Sequence, residues 1–303
     1  MEKLESKAVT GLMLTLLLAS MLSMTLIASV KAQSAADSHT VALWRFDEVN
    51  TPDATDNNVG ILGGSPAPAL VAGKAGEALS FDGSNFVYVP MSPSLGTPTE
   101  ITIEAWINVD AFKNVTYNNI AVECMNPGFE WQTANRLCGL AVKAGLPEND
   151  IAVPQGALNG FVFTDTERFN EIVTTEPVIP LNQWVHVAFT RSPAAGMHLY
   201  VNGVEKEAKV VYGVQNPTGS MVMGTQLIIG HDAEVTVDEL RISDVALEPS
   251  QFLTNLALES QIIRSQIDIG PNLLVAVIVV AVVFAAAWLL RRAIQMWVIR
   301  SKS

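Results

Sequence analysis

The chain has 303 residues, 49% of them hydrophobic, and a formal net charge of −12, which is length enough for one large all-β domain or two small ones. The apolar excess gathers at the two ends, so the stretch between them reads as an ordinary soluble domain. Charge divides the same way: residues 33–270 hold 11 Lys plus Arg against 28 Asp plus Glu, and only Arg291, Arg292, Arg300 and Lys302 follow, so the middle repels phosphate backbones and nucleic acid is excluded as a partner.

The first element is an apolar run from Ala8 to Val30 that meets Val30-Lys31-Ala32, which fits a secretory signal peptide over 1–32 cut after Ala32. An uncleaved anchor is the alternative, since a run of this length can span a bilayer. Gly11 and the scattered Ser and Thr weaken it as a permanent span.

From Thr40 to Phe252 short β-type runs alternate with Gly, Pro, Asn and Asp clusters and no long helical period intervenes, the pattern of a sandwich or barrel. The clearest strands are 41–46, 78–81, 86–89, 101–107, 139–142, 160–163, 184–191, 197–201, 226–229 and 235–242. Gly63–Gly76 reads as a loop. In 101–107 one parity carries Ile101, Ile103, Ala105 and Ile107, the other Thr102, Glu104 and Trp106, so one face is expected buried and the other wet. Asn202-Gly203 after Met197–Val201 supplies the two positive-φ residues of a tight hairpin turn.

The only cysteines are Cys124 and Cys138; in an oxidising compartment they are expected to form a disulfide, with two buried thiols as the alternative. Asn114-Val115-Thr116 is a glycosylation sequon. A short packing helix is expected from about Gln251 to Arg264, and the helix and juxtamembrane stalk together occupy 254–271. The uncharged run Leu273–Leu290 then suits a transmembrane helix over 272–292. The basic residues of the tail, 293–303, belong in the cytoplasm, with Trp288 and Trp297 as interfacial anchors. The result is a single-pass type I protein of the cell membrane with its head outside.

Five segments in order resemble the laminin G-like, concanavalin A-like lectin/glucanase superfamily: Val41–Glu48; Gly73–Gly83 with Tyr88-Val89-Pro90; Ile101–Ile107; Leu181–Thr190 with Leu199–Gly203; and Ile229-Gly230 with Val237–Ser243 and Ala246-Leu247. The resemblance implies an all-β, two-sheet antiparallel jelly roll over 39–253. It further implies glycan, protein or structural calcium binding, and it departs most over Val109–Ile179.

Read as chemistry, Asp47 and Asp238 lie in the first and last strands, which neighbour one another in such jelly rolls. With Asp56 and Asn58, in an oxygen-rich turn that also holds Asp53 and Asn57, they are the expected ligands of a structural Ca2+, which takes six to eight oxygens. The bland reading is a solvated loop with Asp238 capping backbone amides. Phe129, Trp131, Tyr117 and Tyr212 fall in Gly/Asn-rich connections and are candidates for stacking on a sugar. Trp44, Trp106 and Trp184 are expected core anchors, and His186 a satisfied structural histidine. A glycoside hydrolase needs two carboxylates facing one cleft, and the spacing in Glu234-Val235-Thr236-Val237-Asp238-Glu239 does not provide them. The sequence therefore reads as a non-catalytic surface module that binds a glycan or a surface protein, with a structural subunit of a surface layer or membrane assembly as the rival class.

Overall fold

The computed structural model describes residues 37–96, 98–124, 136–222 and 224–254; side chains at 122–124 and 136 fall outside that description. The expected signal peptide, stalk, span and tail, together with Phe129 and Trp131, lie outside the described residues, and within these no helix is long and apolar enough to cross a membrane.

The described chain forms strands β1 (Thr40–Trp44), β2 (Ile61–Gly63), β3 (Ala69–Ala72), β4 (Glu77–Asp82), β5 (Phe86–Pro90), β6 (Ile101–Ala111), β7 (Asn118–Cys124) and β8 (Arg136–Ala144). There follow β9 (Gln155–Thr164), β10 (Arg168–Thr174), β11 (Trp184–Ser192), β12 (Gly196–Val201), β13 (Val204–Lys206), β14 (Ala208–Tyr212), β15 (Gln226–Ile229) and β16 (Glu234–Ser243). They build two sheets. One runs β13-β12-β11-β6-β16-β4-β3 with β1 also on β16, the other β14-β10-β9-β8-β7-β15-β5-β2. Every strand pairing is antiparallel.

The apolar parity of the central strands faces the interior, where Trp44, Phe81, Ile103, Ile107, Leu140, Leu158, Phe189 and Val237 share one core, as close packing of two sheet faces requires. At Gly160 the sheets meet closely: a Cβ there would land on the ring of Phe189 from the opposite sheet. Gly160→Ala is therefore expected to lower stability by about 1–3 kcal/mol through overpacking; a urea midpoint equal to wild type would show that Phe189 has room to turn aside.

Three expectations are corrected. The second parity of β6 is not wet: Thr102 and Glu104 are 0% exposed and Trp106 only 8%. The cause is a strap after β16. Thr102 Oγ1 donates to Val245 O at 2.7 Å, Leu247 N to Thr102 Oγ1 at 2.9 Å, and Trp106 Nε1 to Leu253 O at 3.2 Å. Leu247 and Phe252 bury themselves on Ala188 and Tyr200. Alternation signals two chemically different faces, and the strap turns the polar one into a second interior.

Nor do the first residues of the expected helix, 251–254, form one, its remainder lying outside the described residues. Pro249–Gln251 is a single 3-10 turn and Phe252 is extended, with φ −70° and ψ 156°, because Phe252 and Leu253 must lie flat to reach the sheet. The Gly63–Gly76 segment, finally, contains β3, which pairs along β4 from Ala69↔Ser80 to Ala72↔Glu77.

Candidate functional site

Three places on the sandwich carry chemistry, and the first is the meeting point of the first and last strands. β16 pairs with β4 over Glu234–Val237 and with β1 over Leu240–Ser243, so its partner changes midway. A bulge fills the change: the register against β6 slips between Asp238 and Arg241, and Glu239 takes φ +49°, as a bulged residue does. Asp238 is fully buried there and accepts the Ala75 N–H at 2.9 Å through Oδ2, while its Oδ1 meets no donor. Asp47 reaches the same β3–β4 connection from outside, accepting the Glu77 N–H at 3.1 Å. Burial pushes Asp238 up to about 8 and Glu239 up to about 7, the latter despite Arg45 Nη1 at 3.9 Å from its Oε1.

Of the expected calcium ligands, the fold brings only Asp47 and Asp238 to one loop. Asn58 is committed elsewhere: its Nδ2 donates to Val41 O at 2.9 Å, and its Oδ1 accepts Ser92 at 2.6 Å and Ser94 at 3.1 Å. Its own carbonyl holds Trp44 Nε1 at 2.7 Å. Asp53, fully enclosed, receives the Leu43 N–H at 2.7 Å and the Asn58 N–H at 3.0 Å among others. Asp56 is exposed at φ +60°. Donor-saturated oxygens stabilise a turn and leave few lone pairs for a hard cation, and among the described residues no group of three or more His, Cys, Asp or Glu is disposed to hold a metal ion.

The second place is the outer face of the sheet built on β8, β9 and β10. A ladder of rings crosses it: Tyr117 to Phe161 at 5.7 Å, Phe161 to Phe169 at 5.6 Å, Phe169 to Tyr212 at 5.7 Å. Phe163 stands directly opposite Phe169 in the β9–β10 register. The ladder is graded. Tyr117 and Phe161 are buried, whereas Phe163, Phe169 and Tyr212 are half-buried toward the β14 edge.

The expectation that Tyr117 stands exposed on a rim is thus corrected: its ring is 2% exposed and its hydroxyl donates to Glu171 Oε2 at 3.1 Å. Over the Tyr117 end of the ladder Lys143 bonds Glu148 and Glu171, each at 2.7 Å, and Glu171 also accepts Asn159 Nδ2 at 2.7 Å. Sequence reasoning missed this group because its members lie on separate strands; the one available signal was a polar residue at alternate positions of otherwise apolar runs. Asn114, in the turn before Tyr117, is exposed. Cys138 is 2% exposed in the main core, and β-pairing sets it opposite Glu123 and Cys124 opposite Arg136.

The third place is a crevice of about 260 Å³ at one end of the sandwich, between β1, the end of β16 and the loop after β5. Leu95, Ile101 and Ile242 form its apolar lining, and Ser94, Ser243 and Asp244 add polar groups.

Two antiparallel sheets packed face to face over one main core define a jelly-roll β-sandwich. The chain belongs to the concanavalin A-like lectin/glucanases superfamily, whose Laminin G family model matches residues 81–251.

Solved structures agree on the fold. The fourth domain of AbnA, an extracellular GH43 arabinanase of Geobacillus stearothermophilus solved with arabinotriose, superposes with a TM-score of 0.52 at 20% identity, over 73% of this chain and 100% of that one. The binding domain of Paraclostridial mosquitocidal protein 1 gives 0.50 at 16% identity, over 73% of this chain and 52% of that one. A Trypanosoma rangeli sialidase solved with sialic acid gives 0.51 at 13% identity, over 75% of this chain and 34% of that one. This chain therefore spans the whole of the arabinanase domain, about half of the toxin domain and a third of the sialidase. No curated protein matches.

Proposed function

We propose that this chain is a non-catalytic recognition module that binds a carbohydrate through the half-exposed rings of the outer face, held at the cell surface by the apolar run 273–290. The observation that carries the reading is the open end of the ladder: Tyr212 and Phe169 at 5.7 Å, with Phe163 opposite Phe169, flat apolar faces of the kind on which the C–H face of a sugar ring stacks. The arabinotriose complex of a domain with the same fold supports that ligand class. A protein ligand could use the same rings.

The absence of catalysis is part of the proposal. Asp238 sits at 0% exposure behind the β3–β4 connection, so a carboxylate pair drawn from Glu234 and Asp238 faces no open cleft, as glycoside cleavage needs. The secretory leader, the membrane span and the outward head rest on the sequence alone: the apolar runs 8–30 and 273–290 and the basic tail.

Immobilised glycan arrays probed with the purified chain test the reading. Tyr212→Ala is expected to weaken the best glycan about tenfold, roughly 1.4 kcal/mol, without a change in melting temperature beyond a few degrees. Equal affinity for wild type and variant removes the ladder as the contact surface. Release of reducing sugar by the wild-type chain overturns the non-catalytic reading.

A further inference from the structure

We propose that the folded chain forms an isopeptide bond between the side chains of Lys143 and Asn159, with Glu171 carrying the proton. The three residues lie on the neighbouring strands β8, β9 and β10 and are 1%, 0% and 0% exposed. A single oxygen, Glu171 Oε1, accepts from both nitrogens of the reaction: Lys143 Nζ at 2.7 Å and Asn159 Nδ2 at 2.7 Å. Tyr117 closes the other side, its ring 3.5 Å below Nζ and its hydroxyl on Glu171 Oε2 at 3.1 Å. Asn159 Oδ1, the oxygen on which negative charge develops, accepts no hydrogen bond from the protein.

The arrangement matches the demands of an amide exchange. An ammonium cannot attack, and burial pushes Lys143 below the ordinary lysine range and Glu148 above the ordinary carboxylate range, so the neutral amine is brought within reach. Glu148, whose Oε2 lies 2.7 Å from Nζ, takes the ammonium proton; the neutral Nζ then gives a second proton to Glu171 Oε1 as its lone pair adds to Cγ of Asn159, forming the new C–N bond. Glu171 returns the proton to Nδ2, the Cγ–Nδ2 bond breaks, and ammonia leaves. One amide and one amine become one amide and one ammonia, and nothing is oxidised or reduced. The same carboxyl oxygen contacts the nitrogen that loses a proton and the nitrogen that gains one, the geometry asked of a general acid–base. The burial that makes the amine reactive also keeps out the water that would hydrolyse Asn159.

In its unreacted form the group is an ion pair between Lys143 and two carboxylates taken out of water, an arrangement that gives little net stability by itself. The product is a neutral amide tying β8 to β9 across residues 144–158, a closed loop that restricts the unfolded chain as other cross-links do.

Tryptic peptide mapping of the full purified chain decides it. Sequence cleavage sites bracket the segment at Arg136, Lys143 and Arg168. A joined Lys143 resists trypsin, so 137–168 is expected as one peptide, ~17 Da light by the loss of ammonia. Cyclised Gln33 at a processed N-terminus, or a succinimide at Asn159-Gly160, also loses ammonia. A second cut after Glu148 separates these cases: the two pieces stay together only if the side chains are bonded. Glu171→Gln is expected to restore linear peptides 137–143 and 144–168 at full mass. Wild-type chain that yields those linear peptides overturns the proposal, whether or not the variant folds; a joined peptide that persists in Glu171→Gln removes Glu171 as the proton carrier.

Discussion

Glu104→Ala is expected to destabilise the sandwich by about 3–5 kcal/mol, the scale for removing one partner of a buried ion pair. Glu104 Oε1 takes Arg241 Nε at 2.6 Å and is also bonded by its Nη2. Its Oε2 takes His186 Nε2 at 2.7 Å and the Leu253 N–H at 2.8 Å. Truncation takes the buried carboxylate from a guanidinium that is 5% exposed, leaving it Gln251 O at 2.7 Å and Asp37 Oδ2 at 3.6 Å, and loosens the end of the strap in the same stroke. Burial alone would push the Glu104 carboxyl up, but His186 and Arg241 outweigh it and hold the group below the usual range. The charge is therefore native and its loss is not absorbed by protonation. Urea unfolding measures the energy, and proteolysis near residues 245–253 should speed up together with it; a variant with unchanged midpoint and unchanged cleavage would show that the strap holds without its anchor.

The second large effect is on the pH profile. Asp238 at about 8 and Glu239 at about 7 lie above their ordinary values of 3.8 and 4.5, so in the folded state both keep protons that the unfolded chain has released. The folded state binds more protons across that window, and stability must fall as pH rises. The contribution is whole below about pH 4 and lost on passing through pH 7 to 8. Glu104, with its depressed value, acts oppositely and erodes stability only at the acid end, so the head is expected to be most stable in mildly acid solution.

Asp238→Asn, a neutral group of the same shape, should raise the melting temperature at pH 8 by several degrees and flatten the profile between pH 5 and 8, roughly the effect of 1–2 kcal/mol in a domain of this size. The opposite sign, with a melting temperature that rises on adding calcium and falls on chelation, would mean that the carboxylate is ionised and held by a cation.

Much of this molecule is legible from local pattern. Period-two alternation locates β6, β11 and β16, and Asn202-Gly203 turns β12 into β13, with Asn202 at φ +52° and Gly203 at φ +74°. These features depend on neighbours in sequence, and a single chain states them directly. The expectation for Trp44 held for the same reason, since a tryptophan within an apolar strand packs inward; it is 0% exposed. The strands that escaped notice, β2, β3, β7, β10 and β14, are short, polar or broken by Asn and Glu. They are strands because a neighbouring edge supplies hydrogen bonds, as β4 does for β3.

The candidate sites depended still more on tertiary pairing. Asp47 and Asp238 are 191 positions apart and their proximity follows from the order of a known fold, whereas Asn58 looked available until Ser92 and Ser94 closed on its oxygen. Tyr117 looked like a loop aromatic and became the floor of a buried ion cluster.

The class of chain is written in adjacent residues: alternating strands, an acidic middle, two apolar ends and the turns between strands. Which polar residues are wet depends on contacts between distant strands. The strap buried Glu104, the partner switch in β16 buried Asp238 and Glu239, and three adjacent strands brought Lys143, Asn159 and Glu171 to one oxygen. Desolvation and hydrogen-bond partnership belong to a place in the folded chain, which residues distant in sequence create together.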